Sequence, residues 1–245
     1  RVVGGIDVLR GTGAWAGIVS IQAYWSPRWA AHVCGGTLIT PYWVLTAAHC
    51  FINRTNPLSE WAVLAGATVT TDLGGGVQIR RIKQVRMHKD YSKDILFDIA
   101  VVELEKPIAC SPTIQLACLP DPSMTVALQT CYIAGWGHTY AKAQAPAGIV
   151  LQEAKVPIIS NDICNRSDWN AGFVQEYNVC AGYPEGGITT CQGDSGGPLV
   201  CKDATSDFFW QIGITSWGIG CARPKKPGVS VSTQYFYNWI VEHIS

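Results

Sequence analysis

Charge is scarce in this chain and has no surplus of either sign. Only 15% of its 245 residues are charged, and eighteen Lys and Arg are matched by eighteen Asp and Glu. A protein without a net field gives no global electrostatic reason to bind nucleic acid, and no such partner is expected. No apolar run approaches the length of a membrane span, so no span is expected either. Short-period repeats and low-complexity tracts are absent, which removes solenoids and biased linkers. The polarity of a disordered chain is missing too: 48% of residues are hydrophobic, and the length suffices for a large core. Ten cysteines are present, none in a Cys-x-x-Cys pair. Zinc is therefore the minor reading, no metal or cofactor is expected, and the cysteines point to disulfides in an oxidising compartment.

What the chain does have is punctuation. Twenty-five glycines and thirteen prolines separate short apolar, β-branched runs at Val44–Thr46, Trp61–Leu64, Ile99–Leu104, Cys131–Ala134, Pro198–Cys201, Gln211–Ser216 and Gly228–Ser232. That pattern predicts an all-β barrel or sandwich. The one clear helical period lies at the tail, where Phe236, Ile240 and Ile244 recur at i, i+4 and i+8 beside Trp239.

The chemistry concentrates in Gly193-Asp194-Ser195-Gly196-Gly197-Pro198. Glycines there let successive N–H groups converge, so that Ser195 Oγ can stand beside the amides of Gly193 and Ser195, a layout that attacks a carbonyl and holds its oxyanion. A serine needs a base. Of five histidines, His32, His88, His138 and His243 sit in mixed contexts and read as surface or structural residues. His49 closes Trp43-Val44-Leu45-Thr46-Ala47-Ala48-His49-Cys50, an apolar strand followed by small residues that leave room for a ring. Asp98 opens the apolar run Asp98-Ile99-Ala100-Val101-Val102-Glu103-Leu104. A carboxylate rarely borders such a strand without a strong partner. Alone it would read as a strand cap; with His49 and Ser195 it reads as the acid of a triad.

These motifs, with Val2-Val3-Gly4-Gly5, Cys34-Gly35-Gly36, Asp98-Ile99-Ala100, Ala134-Gly135-Trp136-Gly137 and Ser216-Trp217-Gly218, resemble those of the chymotrypsin-like serine endopeptidases, from near the amino terminus to the C-terminus. The resemblance implies the His-Asp-Ser acyl-enzyme mechanism of that family, with protein or peptide substrates and protein protease inhibitors as partners. It implies a single peptidase domain over 2–245: two packed six-stranded antiparallel β-barrels, the first at about 2–115 and the second at about 116–233, then a C-terminal helix at about 234–244. His49 and Asp98 would come from the first barrel and Ser195 from the second. Implied disulfides are Cys34–Cys50, Cys131–Cys201, Cys164–Cys180 and Cys191–Cys221. Cys110 and Cys118 are left over. A member of the family uses two such cysteines to hold a short light chain, and a local Cys110–Cys118 bridge is the competing reading. By the same resemblance the protein is a zymogen product: cleavage before Val2 would create an ammonium group that pairs with Asp194. Arg1 then reads as a residual propeptide residue or an artificial start, and the chain as a processed piece without a signal peptide. Secretion or a secretory vesicle is expected, and Asn53-Arg54-Thr55 and Asn165-Arg166-Ser167 are glycosylation acceptors at Asn53 and Asn165.

In the family, the residue six before the nucleophile floors the pocket for the side chain preceding the scissile bond. Trypsin-like members have aspartate there; this chain has Thr189. With Thr190, and with Ser216, Trp217, Gly218 and Gly228 around the walls, the pocket reads as open and neutral, and Ser230 in place of a usual tyrosine softens its back. An arginine would lose its water without meeting a carboxylate. The overall likeness is to members that cut after Arg or Lys, whereas the pocket favours a bulky uncharged side chain; we weight the pocket. A cationic stretch, Arg80-Arg81-Ile82-Lys83-Gln84-Val85-Arg86-Met87-His88-Lys89, with Arg223, Lys225 and Lys226 elsewhere, reads first as solvated surface. Resemblance to a member of the family that binds egg-coat glycans implies a functional reading, attraction to sulfated glycans. Two function classes follow: an active secreted endopeptidase, which every triad and oxyanion residue favours, and a weakly active glycan- or egg-coat-binding protein on a protease scaffold.

Overall fold

The computed structural model describes residues 2–9, 15–26, 29–52, 55–138 and 149–245; Arg1 and the acceptor Asn53 lie outside them. The fold is all-β. In chain order the strands are β1 (Ile6–Asp7), β2 (Ile18–Ser26), β3 (Trp29–Thr40), β4 (Trp43–Thr46), β5 (Trp61–Ala65), β6 (Gln78–Met87) and β7 (Ala100–Leu104), then β8 (Cys131–Gly135), β9 (Gln152–Val156), β10 (Ile158–Ile159), β11 (Asn178–Ala181), β12 (Pro198–Lys202), β13 (Phe209–Trp217) and β14 (Gly228–Ser232). Among the described residues the two α-helices are short: α1 (Asn161–Cys164), which the apolar period did not announce, and α2 (Tyr237–His243) at the C-terminal end.

Strands β2 to β7 close into a barrel in the order β2-β3-β4-β7-β6-β5. The second half is a sheet of eight strands, β1-β9-β8-β12-β13-β14-β11-β10, whose two-residue outer members β1 and β10 extend the six between them. Every sheet pairing is antiparallel. Strand β9 shows why sequence and sheet agree: Gln152, Ala154 and Val156 face inward while Glu153 and Lys155 face out, the period of two that a half-buried strand requires.

One core joins both halves. Ile21, Leu38, Leu45, Ile99 and Val101 of the barrel pack in the same cluster as Ile214 and Val231 of the second sheet and Phe236 and Ile240 of the C-terminal end. Each is almost wholly removed from water, worth roughly 1.5–3 kcal/mol per side chain, so the halves cannot drift apart without exposing a continuous apolar seam. The period read at the tail is the one that docks α2.

The four implied disulfides are formed: Cys34–Cys50, Cys131–Cys201, Cys164–Cys180 and Cys191–Cys221. Cys110 and Cys118 are free and exposed; they are not bonded to each other. Among the described residues, no helix is long and apolar enough to cross a membrane.

Candidate active site

His49 stands on the short 3₁₀ turn Ala48–Phe51 directly after β4. Its neighbour Cys50 is tied to β3 through Cys34. Closing a loop of this length removes unfolded-chain entropy worth about 3 kcal/mol, and it fixes the turn that carries the ring. His49 Nδ1 lies 2.7 Å from Asp98 Oδ2, and the His49 backbone N–H donates to Asp98 Oδ1 at 2.8 Å. Asp98 sits two residues before β7 and is fully buried, whereas the His49 side chain is 28% exposed. Ser216 Oγ donates a third hydrogen bond to Asp98 Oδ2 at 2.5 Å. The carboxylate thus exchanges water for three donors, the condition under which a buried charge is tolerated.

Ser195 arrives from the second half on a loop that only glycine can make. Gly193 and Gly196 have φ of 90° and 79°. A Cβ on Gly196 would lie 2.1 Å from Thr46 Oγ1 and 2.4 Å from the Gly35 carbonyl oxygen, so the loop presses against the barrel where a side chain would hold it off. The Gly35 N–H donates to the Ser195 carbonyl at 2.8 Å, and the Gly196 N–H to that of Thr215 at 2.8 Å. Among the described residues, the N–H groups of Gly193 and Ser195 have no protein acceptor. Ser195 Oγ likewise has no hydrogen-bond partner there; such bonds are commonly loose in unliganded sites and tighten around substrate.

Two groups, one buried and one half-buried, brace this loop. Asp194 is fully buried; its Oδ1 accepts from the Gly137 N–H at 2.8 Å and its Oδ2 from the Cys191 N–H at 2.9 Å. Burial pushes its carboxyl above the ordinary value, and those two amides are among the groups that pull it back. Val2 is buried beside Cys131, Ile133 and Leu199, and the Val3 N–H donates to the Thr189 carbonyl at 2.9 Å. The second group is His32, which the sequence left among surface or structural histidines. Its Nε2 lies 2.7 Å from the Gly193 carbonyl oxygen and its Nδ1 2.8 Å from Ser20 Oγ. A carbonyl only accepts, so Nε2 carries the proton and Nδ1 accepts from the hydroxyl. Burial lowers the His32 pKa from 6.5 to about 4, only partly offset by the Gly193 bond, which keeps that neutral tautomer at neutral pH.

Beside Ser195 opens a cleft of about 170 Å³ lined by Thr190, Cys191, Gln192, Thr215, Ser216, Trp217, Gly218, Gly220 and Cys221. No carboxylate is among these residues. Thr189 is buried, and its hydroxyl and that of Thr190 both border Gly228, where a Cβ would lie 2.9 Å from Thr190 Oγ1 and 3.3 Å from Thr189 Oγ1. Ser230 is buried on β14, opposite Val179 and Thr215. Against the rim residue Gly220 rests Arg223, whose Nε would be 2.6 Å from a Cβ built there. Trp217 also lines a larger, mostly apolar hollow of about 530 Å³ that includes Ile95, Leu96, Phe173 and Ile219, which no sequence motif announced.

The remaining candidates fall elsewhere. Both polar atoms of the Asn165 carboxamide are engaged with Val174 backbone, at 2.8 and 2.9 Å. The cations of β6 serve the fold: Arg80 Nε donates to the Pro107 carbonyl, Arg81 to that of Ser59, Lys83 pairs with Glu103, and Arg86 donates to the His243 carbonyl while stacking over Trp43. Lys225 pairs with Asp168, and Lys226 donates to the Trp169 carbonyl. Sequence reasoning missed the Ser216–Asp98 and His32–Gly193 bonds because their partners lie 118 and 161 residues apart with no shared motif. A family model described as Trypsin matches residues 2–240 of the chain.

Proposed function

Since the chain belongs to the trypsin family and is a serine endopeptidase, we propose that His49, Asp98 and Ser195 carry out its catalysis. Ser195 Oγ attacks the scissile carbonyl while His49 takes its proton and later passes it to the leaving amine. Asp98 orients the ring, and the Gly193 and Ser195 amides hold the oxyanion. The observation that carries this reading is the pairing of a fully buried, triply donated Asp98 with His49, whose neighbour Cys50 lies against the Ser195 carbonyl, together with Gly193 and Ser195 amides that have no protein acceptor among the described residues. Protein substrates and protein protease inhibitors are the partners of such a fold, and its four disulfides fit secretion. The test is a serine-directed fluorophosphonate: it should label Ser195 in a chain starting at Val2. Undiminished labelling of Ser195→Ala would discard the assignment.

The preferred side chain before the scissile bond is bulky and uncharged. A cleft without a carboxylate, Thr189 and Thr190 behind it, and the Arg223 guanidinium against Gly220 all support this, because a basic side chain would enter without a counter-ion. The whole-chain likeness to acrosin, the sperm acrosomal protease, rests on Asn178-Val179-Cys180-Ala181-Gly182-Tyr183-Pro184, Gly213-Ile214-Thr215-Ser216-Trp217-Gly218 and Gly220-Cys221-Ala222-Arg223, and it favours Arg or Lys instead. By that likeness the protein acts in the acrosome during fertilization, and Cys110 and Cys118 hold a light chain. In support, both thiols are free and exposed, and Cys118 opens on a cavity of about 350 Å³ walled by Trp15, Leu116, Phe208 and Phe209. Non-reducing digestion of native protein should join each cysteine to a foreign peptide; a Cys110–Cys118 pair would reject the light chain.

Activation would place a new Val2 ammonium beside Asp194; the burial of both supports it. The alternative class, a weakly active binder of sulfated glycans or egg-coat glycoproteins, ranks behind the enzyme, since the β6 cations already have intramolecular partners. Heparin retention that weakens steeply with salt would raise it; no retention at low ionic strength would remove it.

A further inference from the structure

Immediately before Asp98 the backbone takes conformations that side-chain-bearing residues avoid. Phe97 has φ of 52°, and two residues earlier Ile95 has φ of 61°. Neither is glycine, asparagine or aspartate, so the left-handed geometry has to be imposed by surroundings. At Phe97 the restraint is visible. Its N–H donates to Tyr177 Oη at 3.1 Å, and its ring lies between His88 and Tyr177, both at 4.9 Å, with the Phe236 ring edge-on at 6.2 Å. The Phe97 carbonyl accepts from the Ile99 N–H at 2.8 Å, closing a tight turn around Asp98. Tyr177 belongs to the other half of the molecule, one residue before β11, and is itself buried against Phe236. Burial raises its phenol above the ordinary value, so the hydroxyl stays neutral through the working range of the enzyme.

We propose that Tyr177 is a positioning residue for the triad: by accepting the Phe97 N–H across the barrel interface, it holds the left-handed turn that aims the Asp98 carboxylate at His49. Tyr177 touches neither substrate nor the reacting atoms. It acts through the main chain, and it makes the direction of Asp98 depend on the docking of the second half onto the first. The inference rests on the catalytic reading above. A displacement of Asp98 by a fraction of an ångström would leave substrate binding alone and weaken the orientation of His49, so the loss belongs in kcat rather than KM.

The test is a double-mutant cycle on active enzyme starting at Val2, with kcat and KM measured per folded chain for wild type, Tyr177→Phe, Asp98→Asn and the double variant. Tyr177→Phe should lower kcat about tenfold with KM unchanged, and should have no further effect, within about twofold, once Asp98 is Asn. An unchanged kcat for Tyr177→Phe, or the same tenfold loss in both backgrounds, overturns the proposal. Phe97→Asn is the second variant: it keeps the Tyr177 hydroxyl and takes the left-handed conformation readily, so it should retain kcat within about threefold. A tenfold fall there would assign the effect to the ring stack and overturn the main-chain account even if Tyr177→Phe failed to fold. Full activity of Asp98→Asn would instead strike the triad reading, a result separate from either failure of Tyr177.

Discussion

The two walls of the cleft are built on different principles. The base wall is a product of packing: His49 and Asp98 hang from strands of a closed barrel whose neighbours Ala47, Ala48, Ile99 and Ala100 are fully buried. The nucleophile wall is made of turns. Ser195 lies between glycines with φ of 90° and 79°, above a buried carboxylate, with the Cys191–Cys221 bridge beside it. Packing tolerates small losses of volume by losing stability. A turn defined by positive φ and close backbone approach tolerates no added atom. With His49 as the proposed base and Ser195 as the proposed nucleophile, the difference implies that activity fails first on the Ser195 side.

A pair of substitutions should break the symmetry between the walls. Gly196→Ala puts a methyl within 2.1 Å of Thr46 Oγ1 in a left-handed conformation; it should cut kcat/KM by about 10²-fold or more and destabilise by at least about 2 kcal/mol. Ile99→Val, next to Asp98 in the base wall, should cost only about 1 kcal/mol and leave kcat/KM within a few fold. Kinetics and urea unfolding on both variants check this. Equal kinetic damage from the two would erase the distinction.

Acid sharpens the same contrast from below the Ser195 loop. His32 has a folded pKa of about 4 against 6.5 in the free chain, so on acidification the unfolded chain takes up its proton first. The contribution of neutral His32 is therefore complete above about pH 6.5 and lost as pH falls through about 4. Urea midpoints should drop across that window, and the slope should be shallower in His32→Phe, whatever its overall stability. An identical slope in both proteins would show that His32 does not govern this acid response.

The parts of this architecture that could be read in advance share a property: their atoms are contiguous in sequence or fixed by it. The Ser195 loop announces itself by its glycines, His49 by its strand and Cys50, Asp98 by a charge set against an apolar run, and α2 by Phe236 and Ile240. The disulfides followed from family likeness, since spacing alone fixes no connectivity. What stayed hidden joins residues remote in the chain. His32 looked like any other histidine until folding set it under Gly193. Ser216 was read as pocket lining and does line the cleft, but nothing in the sequence showed that its hydroxyl also reaches Asp98. Tyr177 had no motif at all. The cations of β6 read first as solvated surface, and the sequence shows their charge but not the carbonyls and carboxylate that engage them.

The central proposal is that this trypsin-family endopeptidase has a neutral cleft, against the basic preference that the proposed acrosin likeness would favour. The most direct measurement compares kcat/KM for two peptides identical except for Phe or Arg before the scissile bond, on enzyme beginning at Val2. The account predicts at least a tenfold preference for Phe, shifting toward Arg in Thr189→Asp, since an unpaired guanidinium in the cleft costs several kcal/mol. A tenfold or greater preference of the unmodified enzyme for Arg would contradict it and require another acid to reach that side chain.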